Sequence, residues 1–198
     1  MDNGSSDETA EQARVAGARV VWEPRRGYGA ACLAGLCSLP VDTEAVVFLD
    51  ADGSDDPGDL PRLLVPIAAG KADLVVGSRA LGHAAPGSLT PTQRVGNALA
   101  SAWLRRRFGQ AATDLGPFRA IRRSCLDALA MTDRDYGWMI EMHVRAARQG
   151  LRYAEVPVSY RRRIGRSKIS GTTRGAVGAS VKIVGLLAWY DLRRLVRR

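Results

Sequence analysis

The run Val46-Val47-Phe48-Leu49-Asp50-Ala51-Asp52-Gly53-Ser54-Asp55-Asp56-Pro57 constrains this chain more than any other stretch. Four apolar residues rich in strand formers lead straight into two carboxylates one residue apart, and a Gly/Ser turn follows. An unbroken apolar run of this length predicts a strand buried in a parallel sheet, covered on both faces. Ligands of open α/β sheets gather just outside the carboxyl ends of such strands. Asp50 and Asp52 are therefore expected at the mouth of the sheet, where oxygen ligands can hold a hard divalent cation. Taken alone, Asp-Gly-Ser-Asp-Asp-Pro also reads as an ordinary turn leading into a helix cap. The flanking segments separate the two readings.

With 198 residues and 46% hydrophobic content, the chain can bury a full core and is expected to make one globular domain. Cys32, Cys37 and Cys125 are odd in number and lack histidines at zinc spacing, which argues against a disulfide framework and against a Cys/His metal cluster. Reduced, buried thiols in a cytoplasmic protein are the expectation, and no N-terminal apolar segment resembles a signal peptide. His83 and His143 have no partners at ligand spacing and read as structural or surface residues. The formal charge of +9 suits an anionic partner: nucleic acid, a phosphorylated small molecule or a membrane surface. Acidic clusters lie in the first half, whereas the last third holds Arg161-Arg162-Arg163, Arg166, Lys168 and the tail from Arg193 to Arg198.

Along the chain, Ser5 and Glu8 are spaced as a capping box for a helix to about Ala16. Ala18 to Trp22 reads as a short strand, and Gly27-Tyr28-Gly29 as a tight turn into a helix ending near Pro40. That glycine pair is too short for a phosphate-loop fingerprint. Asp56-Pro57 supplies an N-cap and first-turn proline for a helix carrying Leu60, Leu63, Leu64 and Ile67. Asp73 to Arg79 is the next strand and residues 82–89 a loop; Thr90-Pro91-Thr92-Gln93 then opens a helix to about Phe108. Thr113 to Arg119 reads as loop and short strand, and Trp138 to Gln149 as a helix, with Tyr136 and Trp138 in the core or an acceptor loop. Tyr153 to Val158 is edge-like because Pro157 cannot donate to a ladder. The alternation predicts a parallel sheet covered by helices. A final helix is expected from about Thr172.

The chain resembles inverting family-two glycosyltransferases of the GT-A fold, most closely the dolichyl- or polyprenyl-phosphate hexosyltransferases. The resemblance is carried, in family order, by Asp2-Asn3-Gly4-Ser5-Ser6-Asp7, Arg26-Gly27-Tyr28-Gly29-Ala30-Ala31, Phe48-Leu49-Asp50-Ala51-Asp52, Gly77-Ser78-Arg79, Asp114 to Arg119, Glu155-Val156-Pro157-Val158 and Gly165-Arg166-Ser167-Lys168. It implies an α/β fold with a mostly parallel sheet flanked by helices. It implies that Asp2 meets the nucleotide base, that Asp50 and Asp52 hold Mg²⁺ or Mn²⁺ and the nucleotide sugar, with Asp52 the direct ligand, and that Asp114 lies at the reacting centre. Arg79, Arg94, Arg163 and Lys168 match positions that grip donor and acceptor phosphates. Relatives usually carry a strand and helix before the Asp2 segment, absent here, and mannosyltransferase relatives place glutamine where this chain has Ser54.

The implied reaction moves a hexose from a UDP-glucose or GDP-mannose type donor to a polyprenyl or dolichyl phosphate. Residues 1–170 would form the catalytic domain. Residues 171–198 would form a basic amphipathic helix that lies on an anionic membrane surface, at the inner face of the plasma membrane, or that packs Val181, Val184, Leu187 and Leu192 on the protein's own core. Gly175 to Tyr190 is apolar but contains Lys182 and is shorter than the ~20 residues of a spanning helix. Without its first strand–helix unit the chain is expected to be marginally stable and poorly active. The same residues allow a different acceptor, or a membrane-surface binding module that has lost donor binding. Nucleic acid is not an expected partner, because no recognisable module accompanies the basic tail.

Overall fold

The apolar run at Val46 forms strand β1 (Ala45–Phe48) of a four-stranded sheet in a computed structural model that describes residues 1–165, Gly185 and Tyr190. Helices α1 (Thr9–Val15) and α2 (Tyr28–Cys37) precede it. After it come a 3-10 turn (Pro57–Asp59), α3 (Leu60–Ala68), β2 (Leu74–Ala84), α4 (Pro91–Phe108), β3 (Arg119–Arg122), α5 (Arg123–Leu129), α6 (Trp138–Arg148) and β4 (Tyr153–Tyr160). Lys168 and the expected C-terminal helix lie outside the described residues.

The strand order is β1-β3-β2-β4. β2 and β4 run parallel, pairing Val75 with Ala154, while β3 is antiparallel to both β1 and β2. β1, β2 and β4 point the same way, but two of the three ladders are antiparallel and β1 lies at the outside of the four strands, half-buried and paired only with β3, so the expected mostly parallel sheet is a mixed one. The reason lies in the connection. β3 is entered from the loop at residues 113–118, which already sits beyond the carboxyl end of β1 and beside the middle of β2, so the chain can only run back down between them. Phe48 and Val76 both pair with Arg119.

Alternation along β2 feeds two apolar layers. Leu74 and Val76 pack with Val46, Ile121, Leu126, Leu129, Trp138 and Met142 on one face. Val75 packs with Leu63, Ile67, Phe118, Ala120 and Val158 on the other. This two-sided cover is what the unbroken apolar run requires. Trp138 is a core residue, edge-on to Phe48 with ring centroids 6.1 Å apart. β4 is an edge strand, as Pro157 requires.

Several local expectations are corrected. Ala18 to Trp22 makes only one parallel bridge, between Trp22 and Asp2, so a single pair replaces the expected strand. The Ser5/Glu8 capping box does not form: Ser5 N–H donates to Asp2 Oδ1 at 3.0 Å, and Asp7 accepts the Thr9 N–H at 3.1 Å. β2 continues to Ala84 because, beyond an irregularity after Ser78, His83 and Ala84 pair with Ser159 and Tyr160. Cys37, at the last position of α2, is exposed rather than buried, and Cys32 and Cys125 are half-buried. The Thr90 capping box forms as expected, with Gln93 N–H donating to Thr90 Oγ1 and Thr90 N–H to Gln93 Oε1.

The start of α2 lies directly against the backbone of the 133–135 loop. Gly29 N–H and Ala30 N–H donate to the carbonyls of Asp135 and Arg134. A Cβ at Gly29 would lie 2.1 Å from the Asp133 carbonyl oxygen, so glycine is required there by space. Gly29→Ala should lower unfolding free energy by about 3 kcal/mol, measured by urea titration. Gly96→Ala, on α4 with nothing within 4 Å, should raise it by up to about 1 kcal/mol.

Candidate active site

β1 delivers Asp50 and Asp52 to the carboxyl edge of the sheet, and the chain turns at Gly53, whose φ of 73° is left-handed. Asp52 Oδ1 accepts the Ser54 N–H at 2.9 Å and the Ser54 hydroxyl at 2.5 Å. Ser54 is fully buried, and its hydroxyl orients Asp52. Asp52 Oδ2 lies 3.2 Å from Nη2 of Arg163. A strap from Tyr160 to Ile164 runs along this loop. Arg161 N–H and Ile164 N–H donate to the carbonyls of Ser54 and Asp52, each at 2.7 Å, and Arg161 pairs with Asp56.

Asp50 is placed differently. Burial pushes its carboxyl above the usual range and the charge of Asp52 adds to this, while Arg163, Arg79 and Arg119 pull it back. Asp55 behind it is pushed up to about 7, by burial first and by Asp50 second. Asp55 Oδ1 is buried with no hydrogen-bond partner among the described residues. Asp50 and Asp55 thus crowd two carboxyl groups into one desolvated place, with Arg79 the cation that acts on both. Among the described residues no three His, Cys, Asp or Glu side chains form a metal cage. Two carboxylates at an open edge are nevertheless the donor set Mg²⁺-type cations use when substrate phosphates complete the coordination.

Two strands over, Arg79 on β2 forms a closed pair with Asp114 of the loop that enters β3. The Arg79 backbone N–H and Nε donate to Asp114 Oδ2 at 2.7 and 2.8 Å, and Nη2 donates to Oδ1 at 2.6 Å. Asp114 is 1% exposed, and the guanidinium stacks over the Tyr160 ring at 4.9 Å. Burial works to lower the Arg79 pKa, but the hydrogen bonds and charge of Asp114 outweigh it and hold the guanidinium protonated. Asp114 is committed to this bidentate contact.

Asp2 accepts the Ser5 N–H and pairs with Trp22. Arg94 is exposed on the first turn of α4 and makes no ion pair among the described residues. His143 is structural, as expected: Nδ1 contacts Gln110 Oε1 at 3.0 Å, and burial holds its pKa well below normal.

Sequence reasoning missed three supports. Asn3 ties the loop before α2 together, donating to the carbonyls of Glu23 and Arg25 and accepting the Gly27 N–H. Arg119, fully buried, donates to the carbonyls of Leu115 and Gly116 and so holds the turn after Asp114. Glu155 accepts the N–H groups of Thr113 and Asp114. All three lay in the quoted segments, but their partners are distant in sequence for Asn3 and Glu155 and are backbone atoms for Arg119, which residue types do not reveal.

Asp50, Asp52, Arg79, Asp114 and Arg163 thus meet beyond the carboxyl end of β1 and beside the middle of β2, with anionic and cationic groups side by side. The sequence profile described as Glycosyl transferase family 2 matches residues 1–130. The chain is a family 2 glycosyltransferase. An uncharacterized glycosyltransferase of Mycobacterium tuberculosis is 44% identical to it over 179 residues, covering 89% of this chain and 79% of the relative. The undecaprenyl-phosphate mannosyltransferase of Micrococcus luteus is 35% identical over 174 residues, covering 84% of this chain and 71% of the relative. A solved structure of glucosyl-3-phosphoglycerate synthase from M. tuberculosis, in complex with Mn²⁺, UDP-glucose and phosphoglyceric acid, is 25% identical with a TM-score of 0.73. That match covers 96% of this chain and 66% of the solved one. This glycosyltransferase therefore has the GT-A type of α/β fold, with its mixed sheet flanked by helices.

The raised Asp55 sets a pH dependence. The folded state keeps a proton that the unfolded chain has released, so stability falls as pH rises from about 4 through about 7. Asp55→Asn should flatten that fall, measured as urea midpoints across the range.

Proposed function

We propose that this glycosyltransferase moves a hexose from a nucleoside-diphosphate sugar to a polyprenyl phosphate, inverting the anomeric centre. The observation that carries the reading is the meeting of the Asp50 and Asp52 carboxylates with the Arg79 and Arg163 guanidiniums on one side of the sheet. The acidic edge suits Mg²⁺ or Mn²⁺ bound with a diphosphate, and the guanidiniums suit phosphate oxygens. The acceptor class is supported by the relative whose name states undecaprenyl phosphate.

Asp52, oriented by Ser54, and Asp50 would hold the metal, which supplies Lewis-acid stabilisation of the departing diphosphate. Asp2 would face the nucleotide base. An acceptor monophosphate, with a second pKa of about 6, is largely dianionic at neutral pH. Its oxygen attacks C1 of the sugar, the C1–O bond to the diphosphate breaks, and the nucleoside diphosphate leaves with that electron pair. No proton has to be removed from the nucleophile. That agrees with an Asp114 whose carboxylate is spent on Arg79 and orients it towards phosphate. Arg163, freed from Asp52 when a cation takes its place, would turn to phosphate together with Arg94 and Lys168.

A second reading, a small phosphorylated acceptor, draws on the solved relative's phosphoglyceric acid. For the membrane, no helix among the described residues is long and apolar enough to cross. Attachment at the inner face of the plasma membrane would rest on the arginine-rich tail, each arginine contributing about 1 kcal/mol near anionic headgroups.

Transfer should be assayed with UDP-glucose and GDP-mannose against undecaprenyl phosphate and 3-phosphoglycerate. Lipid product with inverted configuration is expected, and product only on 3-phosphoglycerate would overturn the lipid acceptor. Asp52→Asn should lower transfer by about 100-fold or more and weaken Mn²⁺ binding followed by electron paramagnetic resonance. Undiminished turnover in excess chelator would remove the metal from the scheme.

A further inference from the structure

Ser78 and Thr113 each stand immediately before a member of the buried ion pair, and they are bonded to one another beside it. The Ser78 and Thr113 hydroxyl oxygens are 2.7 Å apart, next to the Arg79–Asp114 contact. The middle of β2 and the loop entering β3 are therefore clasped twice in succession. The clasp has an anchor on a third strand. Glu155, on β4, accepts through Oε1 the N–H of Thr113 at 2.7 Å, the N–H of Asp114 at 3.3 Å and the Tyr153 hydroxyl at 2.5 Å. Its Oε2 accepts the Thr113 hydroxyl proton. With that proton committed, Thr113 Oγ1 is the acceptor for Ser78, whose oxygen in turn accepts the Leu81 N–H at 3.1 Å.

Acceptor oxygens are what this arrangement needs. Four donors point at Glu155, three of them at Oε1, and both backbone N–H groups are among those three. With Thr113 and Asp114 held by their backbone N–H groups, the Asp114 carboxylate has one place to point, and Arg79 follows it. Glu155 touches neither Arg79 nor the Asp50–Asp52 loop through any hydrogen bond, so it acts on the site through the loop at residues 113–114.

We infer that Glu155 is a positioning residue for sugar transfer, its carboxylate clamping the backbone of Thr113 and Asp114 so that the Asp114–Arg79 pair is held at the reacting centre. This rests on the transferase reading above.

The test uses the full chain with Glu155→Ala and Glu155→Gln. Glutamine keeps one acceptor oxygen for the two backbone N–H groups, and the Thr113 hydroxyl can turn to receive its amide. Amide hydrogen exchange at residues 113–116 should accelerate at least about 10-fold in the alanine variant and stay within about threefold of wild type in the glutamine variant. In transfer assays the alanine variant should lose about 10- to 100-fold in kcat with donor KM within about threefold, and glutamine should restore most of kcat.

Wild-type exchange at residues 113–116 in Glu155→Ala would overturn the proposal. So would a folded Glu155→Gln with more than about a 10-fold loss of kcat, because charge rather than acceptance would then be the contribution. If the alanine variant does not fold, the glutamine variant decides by the same two readouts. If the wild type transfers no sugar to any acceptor, the transferase reading fails. Exchange at residues 113–116 still reports whether Glu155 clamps the loop.

Discussion

Phe48 and Val76 both pair with Arg119, so the end of β1, the first half of β2 and the start of β3 meet at one level of the sheet. The position of every proposed catalytic group follows from that shared level. The loop leaving β1 carries Asp50 and Asp52, the middle of β2 carries Arg79, and the loop entering β3 carries Asp114. Arg119 stabilises the junction from below. Its guanidinium is fully buried and bonded to the carbonyls of the turn just before its own strand. A buried cation needs such acceptors, because desolvation without them is costly. Here desolvation lowers the Arg119 pKa, while Tyr28, Tyr153 and Asp114 oppose it.

The carboxylates at this level divide by partner. Asp114 has a bidentate guanidinium, and Asp52 has the Ser54 hydroxyl and N–H on one oxygen and Arg163 on the other. Asp50 and Asp55 have burial and each other, and both are pushed towards the neutral form. The two groups have different uses. A paired carboxylate holds a guanidinium in place, whereas an unpaired one is relieved only by a proton or a cation. The half-exposed Arg163 contact contributes little by itself, since surface pairs of this kind are worth about 0–1 kcal/mol. It can therefore be exchanged for a cation without a large loss. The Arg79–Asp114 pair, desolvated and bidentate, is held far more firmly.

Much of this was legible in the residues. The hydrophobic run of β1, the Thr90–Gln93 capping box, the Asp56-Pro57 helix start and the proline-marked edge strand all rest on interactions spanning four residues or fewer, or on periodicity within one element. The segment order was enough to point to the glycosyltransferase family. The errors fell where a local signal lacked its partner. Ala18 to Trp22 has strand-forming residues but finds only Asp2 to pair with, and Ser5 turned its N–H to Asp2 instead of forming a capping box with Glu8.

By itself the sequence determined which residue types follow the first strand, where most of the strands and helices lie, and the family to which the chain belongs. The tertiary structure alone decided that β3 runs against its neighbours and that Asp114 spends its carboxylate on Arg79 across 35 positions. It likewise decided that Glu155 reaches 42 positions back to Thr113, and that Arg163 rests on Asp52. The physical reason is range. Turn, cap and periodicity preferences act within a few neighbouring residues and leave a local imprint. The partner of a buried charge is whichever group packing brings within about 3 Å, and no local pattern encodes that choice.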